Sequence, residues 1–239
     1  MFYTKIPVRV KTVYSDEVMN SSTRYLPFIG WVVGGAGSLV YGACSYVMPV
    51  PLAVFFAMTT VVLLTGAFHE DGFADFCDGF GGGYTREKIL AIMKDSHIGT
   101  YGVIGVVSML AARFGALVSI QGFSIPLVLL AAHSFSRLMP VIVINSTAYA
   151  RPPETSKIKA IGHKGKPYEL IIASVFGLTW LCFIPITFVF AIIPASLLTT
   201  YIFRMYLNRK IGGYTGDCLG ALQQIIELEF YLGMVIFQH

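Results

Sequence analysis

LPFIGWVVGGAGSLVYGACSYVMPVPLAVFFAMTTVVLLTGAF, residues 26–68, contains no Lys, Arg, Asp, Glu or His. Two apolar runs, 26–47 and 51–68, flank the uncharged turn Met48-Pro49-Val50-Pro51. Each run is close to the roughly 20 apolar residues needed to cross a bilayer core, so the segment predicts a helical hairpin in a membrane. The same pattern recurs outward along the chain. Runs at 102–120 and 125–145 flank Gln121-Gly122-Phe123-Ser124, runs at 170–190 and 192–207 meet near Ile193-Pro194, and a last run covers 219–237. That is about seven helices. The sixth is short and the fifth carries Pro185, so these two can also be read as one broken hairpin.

Charge supplies the orientation. Fifteen of the 17 Lys and Arg residues fall in four polar segments, 1–25, 69–101, 146–169 and 204–218. The positive-inside rule puts those segments in the cytoplasm and the bare turns outside. An odd helix count then places His239 outside. With 55% apolar residues and a mean hydropathy of +0.69, the chain exceeds the roughly 45–50% apolar content of ordinary globular domains. The net charge of +4 is spread over four loops without the continuous basic stripe that duplex binding needs, which argues against nucleic acid. Residues 1–24 lack the apolar core of a cleavable signal. Cys44, Cys77, Cys182 and Cys218 have no paired spacing, which argues against zinc and against a disulfide framework. The expected fold class is all-α, a polytopic helical bundle of about seven transmembrane helices plus a short interfacial helix. It forms one integral membrane domain, 1–239, with cytoplasmic active-site loops near 69–101, 146–169 and 204–218.

The densest polar information lies in residues 68–83, FHEDGFADFCDGFGGG. Asp71, Asp75 and Asp78, spaced i, i+4, i+7, fall within about 60° of each other on a helix continuing from the second span. Three carboxylates on one face repel unless a cation sits among them. All-oxygen ligands favour a hard ion such as Mg²⁺, completed by substrate phosphates. The competing reading is a solvated acidic helix end. Gly81 and Gly82 belong to a glycine run that lets backbone approach a ligand, or that simply forms a loop. Thr85 can cap a short interfacial helix with Ile89, Ile92 and Met93 on its apolar side. Beyond it Lys94, Asp95, Ser96 and His97 add a base, a carboxylate, a hydroxyl and an imidazole beside the same surface.

Ionisable side chains inside spans are functional candidates by default, and here they are Arg113, His133, Arg137, Glu227 and Glu229. Arg137 offers a planar fork for phosphate; the alternative is an ion pair with Glu227 or Glu229 that fastens two helices. Those two glutamates point to nearly opposite sides of one helix and cannot share a metal. Arg151 and the run from Lys157 to Lys166 form a basic edge suited to phosphates or anionic lipid. Asp217 starts the last helix behind Gly212-Gly213-Tyr214-Thr215-Gly216, where it either caps that helix or belongs to a binding loop. Carboxylates for a divalent cation, basic groups for phosphate and glycines for close approach together suggest phosphoryl transfer at a membrane face.

His69-Glu70-Asp71-Gly72-Phe73-Ala74-Asp75 with Asp78-Gly79-Phe80-Gly81-Gly82, then residues 92–102 and Gly212 to Ala221, resemble the signature of the cobalamin synthase family, the adenosylcobinamide-GDP ribazoletransferases. Residues 6–8, 24–30 and 149–152 are similar to family segments in the same order, so the resemblance covers nearly the whole chain. It implies that α-ribazole, or its 5'-phosphate, is joined to adenosylcobinamide-GDP with release of GMP, using Mg²⁺ in the cytoplasmic membrane. The match identifies positions and leaves their division of labour open; our own assignment is Asp71, Asp75 and Asp78 on Mg²⁺ and the diphosphate, with Glu70 as a further ligand or base. Arg137, Arg151 and Lys94 would hold phosphates, Asp95 would be catalytic, and Asp217 would bind metal or orient the nucleophile. Ser96, His97, Gly81, Gly82 and Thr215 would complete the substrate contacts. The implied partners are the two substrates, the lipid bilayer, a second copy of the chain and other enzymes of the corrinoid pathway, with no nucleic acid. Phe73, Phe76, Cys77 and His97 depart from the family pattern.

Two rival readings weaken on inspection. A CDP-alcohol phosphotransferase would need Arg where Asp75 stands, and its later Gly-x-x-x-Asp-x-x-x-Asp is missing. A secondary transporter would show inverted repeats and matching interrupted helices.

Overall fold

The computed structural model describes residues 4–6, 21–151 and 167–238, and these build nine α-helices and two 3₁₀ turns, Thr23–Tyr25 and Thr179–Phe183. The helices are α1 (Leu26–Ser45), α2 (Val50–Thr65), α3 (Phe68–Gly82), α4 (Arg86–Ile92), α5 (Thr100–Ser119), α6 (Ile125–Ser146), α7 (Pro167–Leu178), α8 (Ile186–Ile211) and α9 (Gly216–Phe237). The run from Lys157 to Lys166, Arg9, Lys11 and His239 lie outside the described residues.

Five of these helical segments are long and apolar enough to cross a membrane on their own: Thr23–Ser45, α5, α6, α8 and α9. Counting α2 with α3 as one bent span gives a sixth, and Pro167–Phe183 is a shorter apolar helix. The expectation of about seven spans differs from this in two places. Ile193-Pro194 is not a turn, because Pro194 sits inside the continuous 26-residue α8. The break falls at Pro185 instead. Ile184 before it is extended (φ −100°, ψ 147°), the conformation that a following proline imposes. Within a packed bundle, an internal proline such as Pro194 is tolerated because neighbouring groups satisfy the freed carbonyl.

The second difference is a corner. α2 and α3 are bent 85° from each other. Gly66 (φ 67°) and Ala67 (φ 58°) both take the left-handed conformation, which ends α2 and restarts the helix in a new direction. The aspartates are thus on a helix, as expected, but one that runs across the bundle instead of continuing the second span.

α6 is the central rod, buried along most of its length. α1 reaches it through Gly30 and Gly34. A Cβ on Gly30 would lie 2.7 Å from Ser134 Cα, and one on Gly34 would lie 2.9 Å from the Leu129 carbonyl oxygen. This is the small-residue spacing that lets membrane helices touch backbone to backbone. α4 is capped by Thr85, whose hydroxyl accepts from Lys88 N–H at 3.3 Å, and it turns Ile89 and Met93 inward. The segments after α6 and α8 are tied by one parallel bridge, with Ala150 N–H donating to Tyr214 O (2.8 Å) and Tyr214 N–H to Ala148 O (3.0 Å).

Candidate active site

One end of the bundle collects α3, α4, the start of α5, the segment after α6 and the start of α9. α3 crosses α9 closely: a Cβ on Gly72 would stand 3.1 Å from Asp217 Cα, and Gly220 packs against the backbone of His69. That crossing brings Asp71 and Asp75 of α3 beside Asp217 of α9. Burial first, then the charges of Asp217 and Asp71, push the half-buried Asp75 carboxyl up from 3.8 to about 7. Arg151 answers from the other side. Its Nη2 lies 3.1 Å from Asp217 Oδ2 and 3.3 Å from the Met93 carbonyl oxygen. The bridge to Tyr214 and the bond from Arg86 Nη2 to the Ala150 carbonyl oxygen (2.9 Å) hold the Arg151 segment in place.

Asp78 plays another part. Its two oxygens accept from Gly99 N–H (2.7 Å) and Gly102 N–H (2.8 Å), so it clamps the start of α5 to α3. A Cβ at Gly99 would meet Asp78 Oδ1 at 2.5 Å, which explains the glycine there. Among the neighbouring acids, Asp217 bears on the Asp75 carboxyl more strongly than Asp78 does.

Several expected site residues go elsewhere. Glu70 faces into the bundle, 3.5 Å from Arg113 Nη1, and accepts from Gln224 at 3.2 Å. Adjacent residues on a helix diverge by about 100°, so Glu70 cannot share the direction of Asp71. Thr215 is buried and caps α9, accepting from Cys218 N–H at 3.3 Å, which leaves it no substrate face. Gly81 is approached by the Tyr101 ring at 2.6 Å from a would-be Cβ, while Gly82 lies 3.5 Å from Ile92 by the same measure. Asp95 and His97 are exposed and bound to each other (Nδ1 to Oδ1, 2.7 Å). The hydrogen bonds from His97 hold the Asp95 carboxyl below its usual range. Lys94 and Ser96 are exposed on the same turn.

Deeper in the bundle lies a polar network that the sequence reading touched without joining. Arg113 of α5 pairs with Glu227 of α9 and donates to Gln224 at 2.6 Å. Glu227 also takes Gln223 (2.6 Å), Tyr231 (3.0 Å) and a contact from His133 Nδ1 (3.1 Å). Arg137, 2% exposed, binds the His133 carbonyl oxygen through Nη1 at 2.9 Å. Glu229 points away to Ser196 and Thr199 of α8, both at 3.3 Å, so the two glutamates diverge as their spacing requires. Gln223, Gln224 and Tyr231 were missed. Amides inside an otherwise apolar span were the available signal.

The family described as Cobalamin-5-phosphate synthase matches residues 1–235. This chain belongs to that family. A Leptospira interrogans protein described as adenosylcobinamide-GDP ribazoletransferase is 39% identical, with 99% of this chain and 92% of that protein covered. A Vibrio cholerae protein of the same description is 39% identical over 100% of this chain and 92% of its own length. One from Shewanella amazonensis is 38% identical over 98% and 92%. No solved structure matches. Nothing in these matches supports a CDP-alcohol phosphotransferase or a transporter.

Among the described residues no three His, Cys, Asp or Glu side chains stand close enough to enclose a metal ion unaided. The residues at the edge still fit magnesium. Asp71 and Asp217 offer hard oxygens from two helices, and their charges add to burial in raising the Asp75 carboxyl. Magnesium commonly binds through one or two carboxylates, waters and substrate phosphates, an open set of this kind.

Proposed function

We propose that this chain is an adenosylcobinamide-GDP ribazoletransferase: it joins α-ribazole or its 5'-phosphate to adenosylcobinamide-GDP and releases GMP, the last assembly step of vitamin B12. The observation that carries the reading is the convergence of Asp71, Asp75 and Asp217 opposite Arg151 at one end of an apolar bundle. A hydroxyl of the nucleoside attacks the phosphoryl group attached to the corrinoid side chain. The new O–P bond forms as the P–O bond to GMP breaks, and the hydroxyl proton passes to a carboxylate. Asp71 and Asp217 would hold magnesium, which when bound offsets phosphate charge. Asp75, which feels the charge of both, takes the proton. Arg151 neutralises the departing phosphate.

The site sits on the cytoplasmic side of the inner membrane, as the basic segments around it indicate. A reporter fused after Gly83 registers as cytoplasmic; an external signal there overturns the placement. The activity is tested by incubating purified protein with adenosylcobinamide-GDP, α-ribazole and Mg²⁺ and following cobalamin and GMP. Product from CDP-diacylglycerol in place of the corrinoid, with none from the corrinoid, would sink the reading.

A further inference from the structure

Between the first turn of α3, the middle of α6 and the first turns of α9 lies a cavity of about 130 Å³. Engineered apolar cavities of roughly 150 Å³ admit benzene, so this one has the size of a planar ring system and not of a corrin. Its mouth is formed by Asp71 and Asp217 and its walls by Leu26, Phe68, Pro140, Ile144 and Leu219. At the inner end stand His69, Arg137 and Gln223, all buried.

Arg137 is the feature that asks for a ligand. Among the described residues its Nη1 donates to the His133 carbonyl oxygen, and its Nε is buried with no partner. A buried donor left unmade costs about 1–3 kcal/mol, more on a charged group. The missing partner is a neutral acceptor and not an anion. Arg113 and Arg137 already face Glu70 and Glu227, so the network's charges balance. A phosphate placed there would add buried charge that nothing compensates.

Nor does the inner end suit guanine. Its neighbouring N–H donors need a carboxylate or paired carbonyls, yet Glu227 is taken by Arg113, Gln223, Tyr231 and His133. The Gln223 amide donates to Ser136 and Glu227 and accepts from Gln224. A benzimidazole bonded to ribose through one nitrogen has apolar edges and a single remaining ring nitrogen, which accepts one hydrogen bond. That matches apolar walls with the Arg137 donor among the polar groups at the end.

We propose that this cavity receives the heteroaromatic base of α-ribazole, with Arg137 donating to its free ring nitrogen and the ribose held at the mouth beside Asp71 and Asp217. Adenosylcobinamide-GDP then stays outside, on the exposed flank of Asp71 and Arg151. The inference rests on the function proposed above and reassigns Arg137 from phosphate to base.

The test fills the cavity. Ile144→Trp and Leu219→Trp, each checked for a monodisperse detergent peak and wild-type melting, are assayed for KM toward both substrates. Equilibrium dialysis with labelled α-ribazole, without corrinoid, gives its Kd directly. Expected is saturable binding to the wild type and a rise of tenfold or more in Kd and KM for α-ribazole in a filled variant, with KM for adenosylcobinamide-GDP within twofold. Arg137→Met should raise the α-ribazole Kd by a similar factor, should one of the tryptophan variants not fold. A rise confined to adenosylcobinamide-GDP puts guanine in the cavity and overturns the proposal. No change in either substrate shows that no ligand enters, and overturns it equally, while wild-type turnover still stands. Wild-type protein that makes no cobalamin overturns the function itself, and that result is read from the unsubstituted enzyme alone.

Discussion

Glu70 and Asp71 are neighbours in sequence yet serve two differently built regions. Asp71 joins the membrane-face edge, where among the described residues Asp71, Asp75 and Asp217 meet the Arg151 guanidinium. Glu70 joins the interior, where two carboxylates meet two guanidinium groups and every carboxylate has a charged partner. Half-exposed charge can be left unbalanced because water and an incoming cation compensate it. Charge in the apolar interior has to be balanced within the protein. The half-exposed edge can therefore meet a charged ligand, while the balanced interior fastens α3, α5, α6 and α9.

The largest effect expected comes from unbalancing the interior. Glu227→Gln leaves Arg113 without its closest carboxylate, and breaking a buried pair from one side costs about 3–5 kcal/mol. Thermal inactivation in detergent should show it, and Arg113→Met combined with Glu227→Gln should recover only part of the loss, because Glu70 then loses its Arg113 partner. A single variant as stable as wild type would erase the distinction between the regions. Next in size is the edge. Asp75→Asn should lower GMP release about 10²–10³-fold, the range for removing one electrostatic group from a reaction centre. Its melting point should hold or rise, since it removes repulsion between carboxylates. Full turnover by that variant would remove Asp75 from the chemistry.

The two regions were not equally legible in the sequence. Apolar runs and bare turns marked the bundle, because a bilayer imposes length and excludes charge, and the i, i+4, i+7 aspartates placed the edge on a helix. The 85° corner was hidden, since Ala67 carries no sign of a left-handed backbone. Pro185 and Pro194 look alike as breakers, and only packing around α8 tells them apart. Asp78 matched the metal spacing, but its role depends on the amides of Gly99 and Gly102, which are twenty-one or more positions away. The pairing of Glu70 and Glu227 with Arg113 required knowing which helices touch.

Asp78 supplies an intermediate case. It belongs by spacing to the edge and by bonding to the scaffold, so Asp78→Ala should cost about 0.5–2 kcal/mol, the range for losing a side chain that caps a helix. Hydrogen exchange at Gly99 and Gly102 should speed up before exchange elsewhere in α5. Loss of turnover with unchanged exchange would move Asp78 back among the reacting groups.

The smallest expected effect is a pH slope, and its sign separates the regions. Folding raises the Asp75 carboxyl from 3.8 to about 7, so between those values the folded chain binds more protons than the unfolded one. Stability from this group is therefore fully present below about pH 4 and is lost as pH rises through 7. Asp75 is half exposed, so solvent screening limits the change to a few degrees in Tm. Asp75→Asn should flatten the slope, and Mg²⁺ above pH 7 should restore what the ionised carboxylates lose, because a cation stabilises the form that repulsion disfavours. A slope that survives Asp75→Asn would have to come from another titrating group. A melting point above pH 7 that ignores Mg²⁺ would mean the edge is balanced after all, and the contrast with the interior would fail at the charges it was drawn from.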